Sequence, residues 1–299
     1  MKYRVLLYYK FVKIPEPAIF AQNHLEYCKS HGLRGRILIA LEGINGTVSG
    51  TDEQANKYIE FMHNNPIFSD MEFKIDEASS HVFKKLSVRN KKELVTFRAG
   101  FELEQNTPKG KYLEPAEFNK TLHEENVVIL DGRTDYEFDL GHFKNAVRPD
   151  VKSFRDFPDW IQKNFITNKD KKVLTYCTGG IRCEKLTAYL IQQGFKDVYQ
   201  LHGGIIKYSK DPEVKGKLFE GKCYVFDERI SIPVNYAEEY SVTGKCLHCG
   251  KPTDRYVNCA NLDCHKQHFE CEECEVKWKR SCSEECMRAP RHEINLFVH

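Results

Sequence analysis

The sequence predicts an α/β chain in three parts, and three observations carry that prediction. The first 80 or so residues run strand, helix, strand, strand, helix, strand. From about residue 115 a second alternation begins, in which each apolar strand is followed by a helix. Beyond about residue 221 regular periodicity is lost, and eight of the 12 cysteines fall between Cys246 and Cys286. A chain of 299 residues has room for two or three domains with buried cores.

In the first part, Lys2 to Lys10 alternates as a strand does, and its apolar run lacks the small-residue cleavage site of a signal peptide. Pro15 to His31 has helical spacing at Ile19, Phe20, Leu25 and Cys28, and Gly32 follows it. Arg36 to Ala40 and Gly46 to Val48 form a strand pair around Glu42 to Gly46, with Asn45-Gly46 as the hairpin signal. Thr51 with Gln54 three residues on is a capping-box pattern opening a helix that stops before Pro66. Met71 to Ile75 and Leu94 to Phe97 supply the last strands. This order is the split βαβ plan of a ferredoxin-like α+β domain, expected over residues 1–98.

Residues 99–114 carry Gly, Pro and Asn with little periodicity and are expected to be a linker. The second domain is expected over 115–220. Val127 to Leu130 is a continuous apolar run, as in parallel sheets covered on both faces. Phe154 to Phe165 is helical, Val173 to Tyr176 a strand and Arg182 to Gln193 a helix closed by Gly194. Val198 to Leu201 and Gly203 to Tyr208 are the last strand and helix. Open sheets of this kind place ligands at the C-terminal ends of their strands.

One such end holds Cys177-Thr178-Gly179-Gly180-Ile181-Arg182. A thiol there lies near free backbone N–H groups and the positive end of a helix dipole, and both favour the nucleophilic thiolate. Cys177 is therefore the candidate nucleophile. The glycines let the backbone curl around whatever the sulfur carries. A Cys-based phosphatase needs one more residue between cysteine and arginine to hold three phosphate oxygens, so the spacing argues against that class. Cys183 is either a resolving thiol or a buried helix residue.

Around this loop stand Asp131-Gly132-Arg133, Tyr136-Glu137, Gly141-His142 with Ala146, and Leu201-His202-Gly203-Gly204. Together these resemble the rhodanese homology domain over roughly Pro115 to Lys210. The resemblance implies a loop cysteine that carries sulfane sulfur as a persulfide, cradled by the amides of Thr178, Gly179, Gly180, Ile181 and Arg182. Asp131 and Arg133 are expected to form a structural ion pair beside the site. His142 is expected to fix its turn through a hydrogen bond.

With a ferredoxin-like unit containing Leu41-Glu42-Gly43-Ile44-Asn45-Gly46-Thr47 before it and a Cys-rich module after it, the whole chain resembles the TrhO-type tRNA uridine hydroxylases. That resemblance implies oxygen-dependent 5-hydroxylation of the wobble uridine of tRNA. It also implies a required loop cysteine, tRNA as partner and molecular oxygen as co-substrate, and no organic cofactor is evident. The Glu42 to Thr47 stretch is open to two readings, turn chemistry alone or part of the RNA or active-site surface. The alternatives to the hydroxylase are a sulfurtransferase with Cys177 as persulfide carrier, and a zinc-stabilised adaptor, for which an intact thiol loop serves no purpose.

The third part, 221–299, starts with strand-like Cys223 to Phe226. It offers Cys246, Cys249, Cys259, Cys264, Cys271, Cys274, Cys282 and Cys286, enough thiolates for two tetrahedral zinc sites. His248, His265 and His268 could replace a thiolate. Sequential and cross-braced pairings are both allowed, and disulfides, free thiols or an Fe–S cluster are the alternatives to zinc. The expected setting is cytoplasmic: no apolar run approaches a membrane span, and clustered cysteines without a secretory signal point to metal or redox use. The net charge is only +2. Lys84, Lys85, Arg89, Lys91 and Lys92 form either an anion-binding cluster or a solvated face. Lys277, Lys279 and Arg280 offer a second basic patch beside the tail.

Overall fold

A computed structural model describes residues 2–100, 103, 106–264 and 266–292. The N-terminal domain comprises β1 (Tyr3–Phe11), α1 (Pro17–Ser30), β2 (Arg34–Ala40), β3 (Gly43–Thr51), α2 (Asp52–His63), β4 (Lys74–Ala78) and β5 (Leu86–Asn90). Its sheet has the order β4-β1-β3-β2-β5, antiparallel except where β5 joins β2. The first four strands form the ferredoxin-like sheet, and β5 extends its edge. Thr51 and Gln54 close both halves of the capping box, worth about 1 kcal/mol to the helix start.

Period-2 alternation splits the sheet into two faces. Leu6, Tyr8, Ile44 and Val48 point into a core shared with Ala21, Cys28, Ala55 and Tyr58 of the helices. Val5, Leu7 and Tyr9 occupy the opposite face, which is covered by the second domain instead of by helices.

Two expectations for this domain are corrected. The β2–β3 turn is Leu41-Glu42, and Asn45-Gly46 lies inside β3, paired with Tyr9 and Tyr8 of β1. Gly46 answers a packing need: a Cβ there would stand 2.3 Å from the Tyr8 hydroxyl. Leu94 to Phe97 is not a strand. Its apolar residues are used in the seam between domains, where Phe97 packs on Phe154 and Tyr189 at ring distances of 4.7 and 5.5 Å. The fifth strand is β5, whose flanks carry the lysine cluster. Lys84, Lys85, Arg89, Lys91 and Lys92 are exposed along this edge, where charge discourages edge-to-edge pairing.

The central domain holds β6 (Lys111–Leu113), α3 (Pro115–Thr121), β7 (Val127–Asp131), α4 (Asp135–Leu140), β8 (Gly141–Phe143), α5 (Phe157–Asn164), β9 (Lys172–Tyr176), α6 (Ile181–Gln192), β10 (Asp197–Leu201) and α7 (Gly204–Lys210). Its sheet is β6-β10-β9-β7, all parallel. The segment 99–114 thus contributes β6 to this sheet. Cores lie on both faces, one around Phe118, Phe143 and Tyr208, the other around Leu130, Phe157 and Leu190.

The last part begins with β11 (Phe219–Tyr224), which joins β8 on one side and β12 (Ser231–Pro233) on the other. Then follow β13 (Tyr256–Asn258), β14 (Gln267–Phe269), α8 (Glu272–Trp278) and α9 (Glu284–Met287). Among the described residues, no helix is long and apolar enough to cross a membrane.

Candidate active site

Cys177 follows the last residue of β9, a central strand, and the turn Thr178 to Gly180 leads into α6. The loop is pinned from α7, whose Ile205 and Ile206 N–H groups donate to the Cys177 and Thr178 carbonyls at 3.0 and 3.1 Å. The Gly180 N–H donates to Cys177 Sγ at 3.1 Å. Burial alone would raise the Cys177 pKa. A hydrogen bond from Cys183, the charge of Arg182, and the Arg182 and Cys183 N–H groups outweigh it and bring the thiol down to about 6. Cys183 is fully buried, and burial together with its neighbour's charge pushes its own thiol well up. The two shifts run in opposite directions, and the Arg182 charge and the loop N–H groups favour the thiolate on Cys177.

Arg182 is held by Glu137, to which the sequence assigned no role. Glu137 accepts from both Nη1 and Nη2 of Arg182, at 2.6 and 2.8 Å. It is fully buried and also takes the N–H and hydroxyl of Thr134, so one carboxylate caps α4 and anchors the loop arginine. Burial would raise the Glu137 pKa, but Arg182 more than offsets that and holds it below the usual carboxylate value. Nη2 of Arg182 also donates to Thr178 Oγ1 at 3.2 Å.

Asp131 and Arg133 form a fully buried bidentate pair, with Nε–Oδ1 2.9 Å and Nη2–Oδ2 2.7 Å, and Arg133 also donates to the Gly141 carbonyl at 2.6 Å. The pair braces β7 against the start of β8. His142 stacks on Phe138 at 3.9 Å, and its Nδ1 bonds the Phe138 carbonyl at 2.8 Å. All three stand behind the loop.

Above the loop lies β1. Gly180 adopts φ +102°, and a Cβ on it would sit 2.9 Å from the Tyr9 hydroxyl; one on Gly179 would sit 2.9 Å from Leu7. The open sheet face of the first domain is thus a roof over the loop, and Cys177 has no solvent exposure. Glu184, in the first turn of α6, accepts from Tyr9 (3.1 Å), Tyr112 (2.6 Å) and Lys109 (2.7 Å). Lys185 Nζ lies 2.9 Å from Glu42 and 2.9 Å from Glu93. Glu42 of the Leu41 to Thr47 stretch therefore holds the two domains together. Asn45 and Thr47 share register with Tyr9 and Leu7 and so face the same way. Arg182, Glu184 and Lys185 are the three charged residues of α6. A helix buried from Arg182 to Leu190 with charges all round is the one hint that something covers it.

In the tail the thiols form two cross-braced groups, Cys246, Cys249, Cys271 and Cys274, and Cys259, Cys264, Cys282 and Cys286. The Sγ atoms of Cys249 and Cys271, of Cys264 and Cys282, and of Cys282 and Cys286 are each 3.7 Å apart. That is too long for a disulfide and close to the roughly 3.8 Å edge of a tetrahedron with 2.3 Å metal–sulfur bonds. All twelve cysteines are free. The donor set thus fits a thiophilic tetrahedral ion. His248 and His268 stand outside both groups with Glu270 between them, and His265 lies outside the described residues.

A parallel sheet with a buried thiolate loop at a strand end defines a rhodanese-domain protein, and residues 114–211 match the model of the rhodanese-like domain. Residues 3–94 match the UPF0176 acylphosphatase-like domain and residues 220–287 the rhodanase C-terminal family. The chain is 55% identical to the tRNA uridine(34) hydroxylase of Bacillus licheniformis, covering 99% of this chain and 91% of that one. It is 56% identical to the Bacillus mycoides protein of that name over 97% of this chain and 91% of the relative. With the one from Oceanobacillus iheyensis it shares 55% over 99% of this chain and 91% of the relative. The chain belongs to the tRNA uridine(34) hydroxylase family.

Proposed function

We propose that the chain is a cytoplasmic tRNA-modifying enzyme that hydroxylates C5 of the wobble uridine, with molecular oxygen as co-substrate and Cys177 as nucleophile. The substrate is argued from its relatives, which carry that name across nearly the whole of both chains. The chemical role rests on one observation: the buried Cys177 Sγ sits at the N-terminal end of α6, beneath the first domain, with the Gly180 N–H aimed at it at 3.1 Å.

Uridine C5 is weakly nucleophilic. Bonding of Cys177 Sγ to C6 sends the C5=C6 electron pair onto O4 as an enolate, which makes C5 electron-rich enough to take oxygen. Loss of the C5 proton and departure of Sγ restore the double bond. One atom of dioxygen enters the product, and the other leaves as water with two electrons from an external thiol reductant. Thr178 to Arg182 hold the loop for this step, and Asp131, Arg133 and His142 support it from behind. The two four-thiol groups hold structural zinc, which staples a module with few large apolar residues.

The test is turnover on an anticodon stem-loop with a reductant, wild type against Cys177→Ser. A second reading, sulfur transfer through a Cys177 persulfide, is favoured by the Gly180 N–H already aimed at the sulfur. Steady thiosulfate-to-cyanide turnover without uridine hydroxylation would select it.

A further inference from the structure

A small cleft, about 60 Å³ in volume and open to solvent, lies between the two domains beside the Cys177 loop. Its walls include Leu7, Lys74, Asp76, Thr178, Phe226 and Arg229. Most of the charge on these walls is neutralised locally. Arg229 bonds both Asp76 and Asp227, and Lys210 bonds Asp76 as well.

Lys74 differs. It is the β4 partner of Leu7, only 8% exposed. Its ammonium lies 5.1 Å above the Tyr9 ring and has no hydrogen-bond acceptor among the described residues. An ammonium withdrawn from most of its water, with no protein acceptor among the described residues, is costly unless water or a ligand completes it. Burial lowers its pKa, against the opposing pull of Glu72 and the Cys177 thiolate. At the rim, Phe226 is 49% exposed while the Arg182 guanidinium lies 5.9 Å from its ring, which leaves ring surface free for a base to stack on.

We propose that this cleft receives the extruded uracil ring and that Lys74 is a substrate-contacting residue, donating to the carbonyl oxygen O4. The proposal rests on the reading of Cys177 as the nucleophile toward C6. As Sγ bonds to C6, the C5=C6 pair moves to O4, and an ammonium already aimed there stabilises the enolate without a proton being transferred. A base must leave its stack to reach a thiolate that has no solvent exposure, next in the chain to the cleft-lining Thr178. The first domain then supplies half of the active site.

The experiment compares wild type, Lys74→Met and Lys74→Arg on an anticodon stem-loop, with kcat, KM, salt dependence of RNA binding and thermal midpoint measured for each. We expect Lys74→Met to keep its fold and bind RNA within about three-fold, with kcat down about 10²–10³-fold. Lys74→Arg, which keeps a donor and a charge, should recover part of that loss. If Lys74→Met instead turns over within three-fold of wild type at saturation, the assignment fails and the Cys177 reading stands. If only RNA affinity falls and the salt slope drops by about one, Lys74 contacts a phosphate and the O4 assignment is overturned. If Lys74→Met unfolds, Lys74→Arg decides: with a wild-type midpoint, a kcat lowered but not abolished at an unshifted KM supports the contact, and a wild-type kcat overturns it. If wild type leaves uridine unmodified, the nucleophile reading fails and this proposal falls with it.

Discussion

The carboxylate of Glu42, in the turn between β2 and β3, lies 2.9 Å from the ammonium of Lys185 on α6. That contact spans two domains and ends on the helix whose N-terminus carries the thiolate loop. Lys185 is 2% exposed and also bonds Glu93 and the Val95 carbonyl. The roof over Cys177 is therefore latched by one buried cation with three oxygen partners.

Lys185→Met removes the cation and leaves two carboxylates facing each other. We predict a loss of about 2–3 kcal/mol in urea unfolding, together with faster alkylation of Cys177 as the roof loosens. Unchanged Cys177 accessibility would contradict the latch.

The Cys177 thiolate should be visible in the 240 nm absorbance difference between wild type and Cys177→Ser, titrating near pH 6. A free cysteine titrates near 8.5, so the folded pKa lies below the unfolded one. The stabilisation that follows is complete above about pH 8.5 and fades as pH falls through 6. Arg182→Gln should move the titration up by about one unit or more. A wild-type midpoint near 8.5 would contradict the account.

Glu137→Gln leaves the buried Arg182 guanidinium without its counter-charge. Breaking such a pair costs about 3–5 kcal/mol, and an isosteric amide retains part of the hydrogen bonding, so about 3 kcal/mol is expected by urea denaturation. A loss under about 1 kcal/mol would mean that the pair contributes no more than a surface contact.

Cross-bracing makes a stoichiometric prediction. Native mass spectrometry should find two zinc ions per chain, and the double variant Cys249→Ser with Cys271→Ser should keep one, because both residues belong to one group. Under sequential pairing, that double variant would damage both sites and lose both ions.

Features with local causes were legible in the sequence. The Cys177 loop, the Asp131–Arg133 pair two residues apart and the count of eight tail thiols all follow from short spacings. The Thr51 capping box was legible for the same reason. What was hidden depends on contacts far apart in the chain. Glu137 stands in the sequence only among the residues that carry the rhodanese resemblance, and its bond to Arg182 spans 45 residues. Tyr9, Lys74 and Glu184 meet only because an open sheet face settles on the loop, which no periodicity in either domain reveals. Asn45-Gly46 imitates a hairpin turn, although its glycine serves the Tyr8 ring. The cysteine spacing could not choose between pairings, since both satisfy four thiols per ion.

The central claim is best tested by nucleoside mass spectrometry of bulk tRNA from a host lacking this activity, complemented with wild type or with Cys177→Ser. The account predicts that 5-hydroxyuridine or its derivatives return with wild type alone. Their return at wild-type level with Cys177→Ser would contradict it.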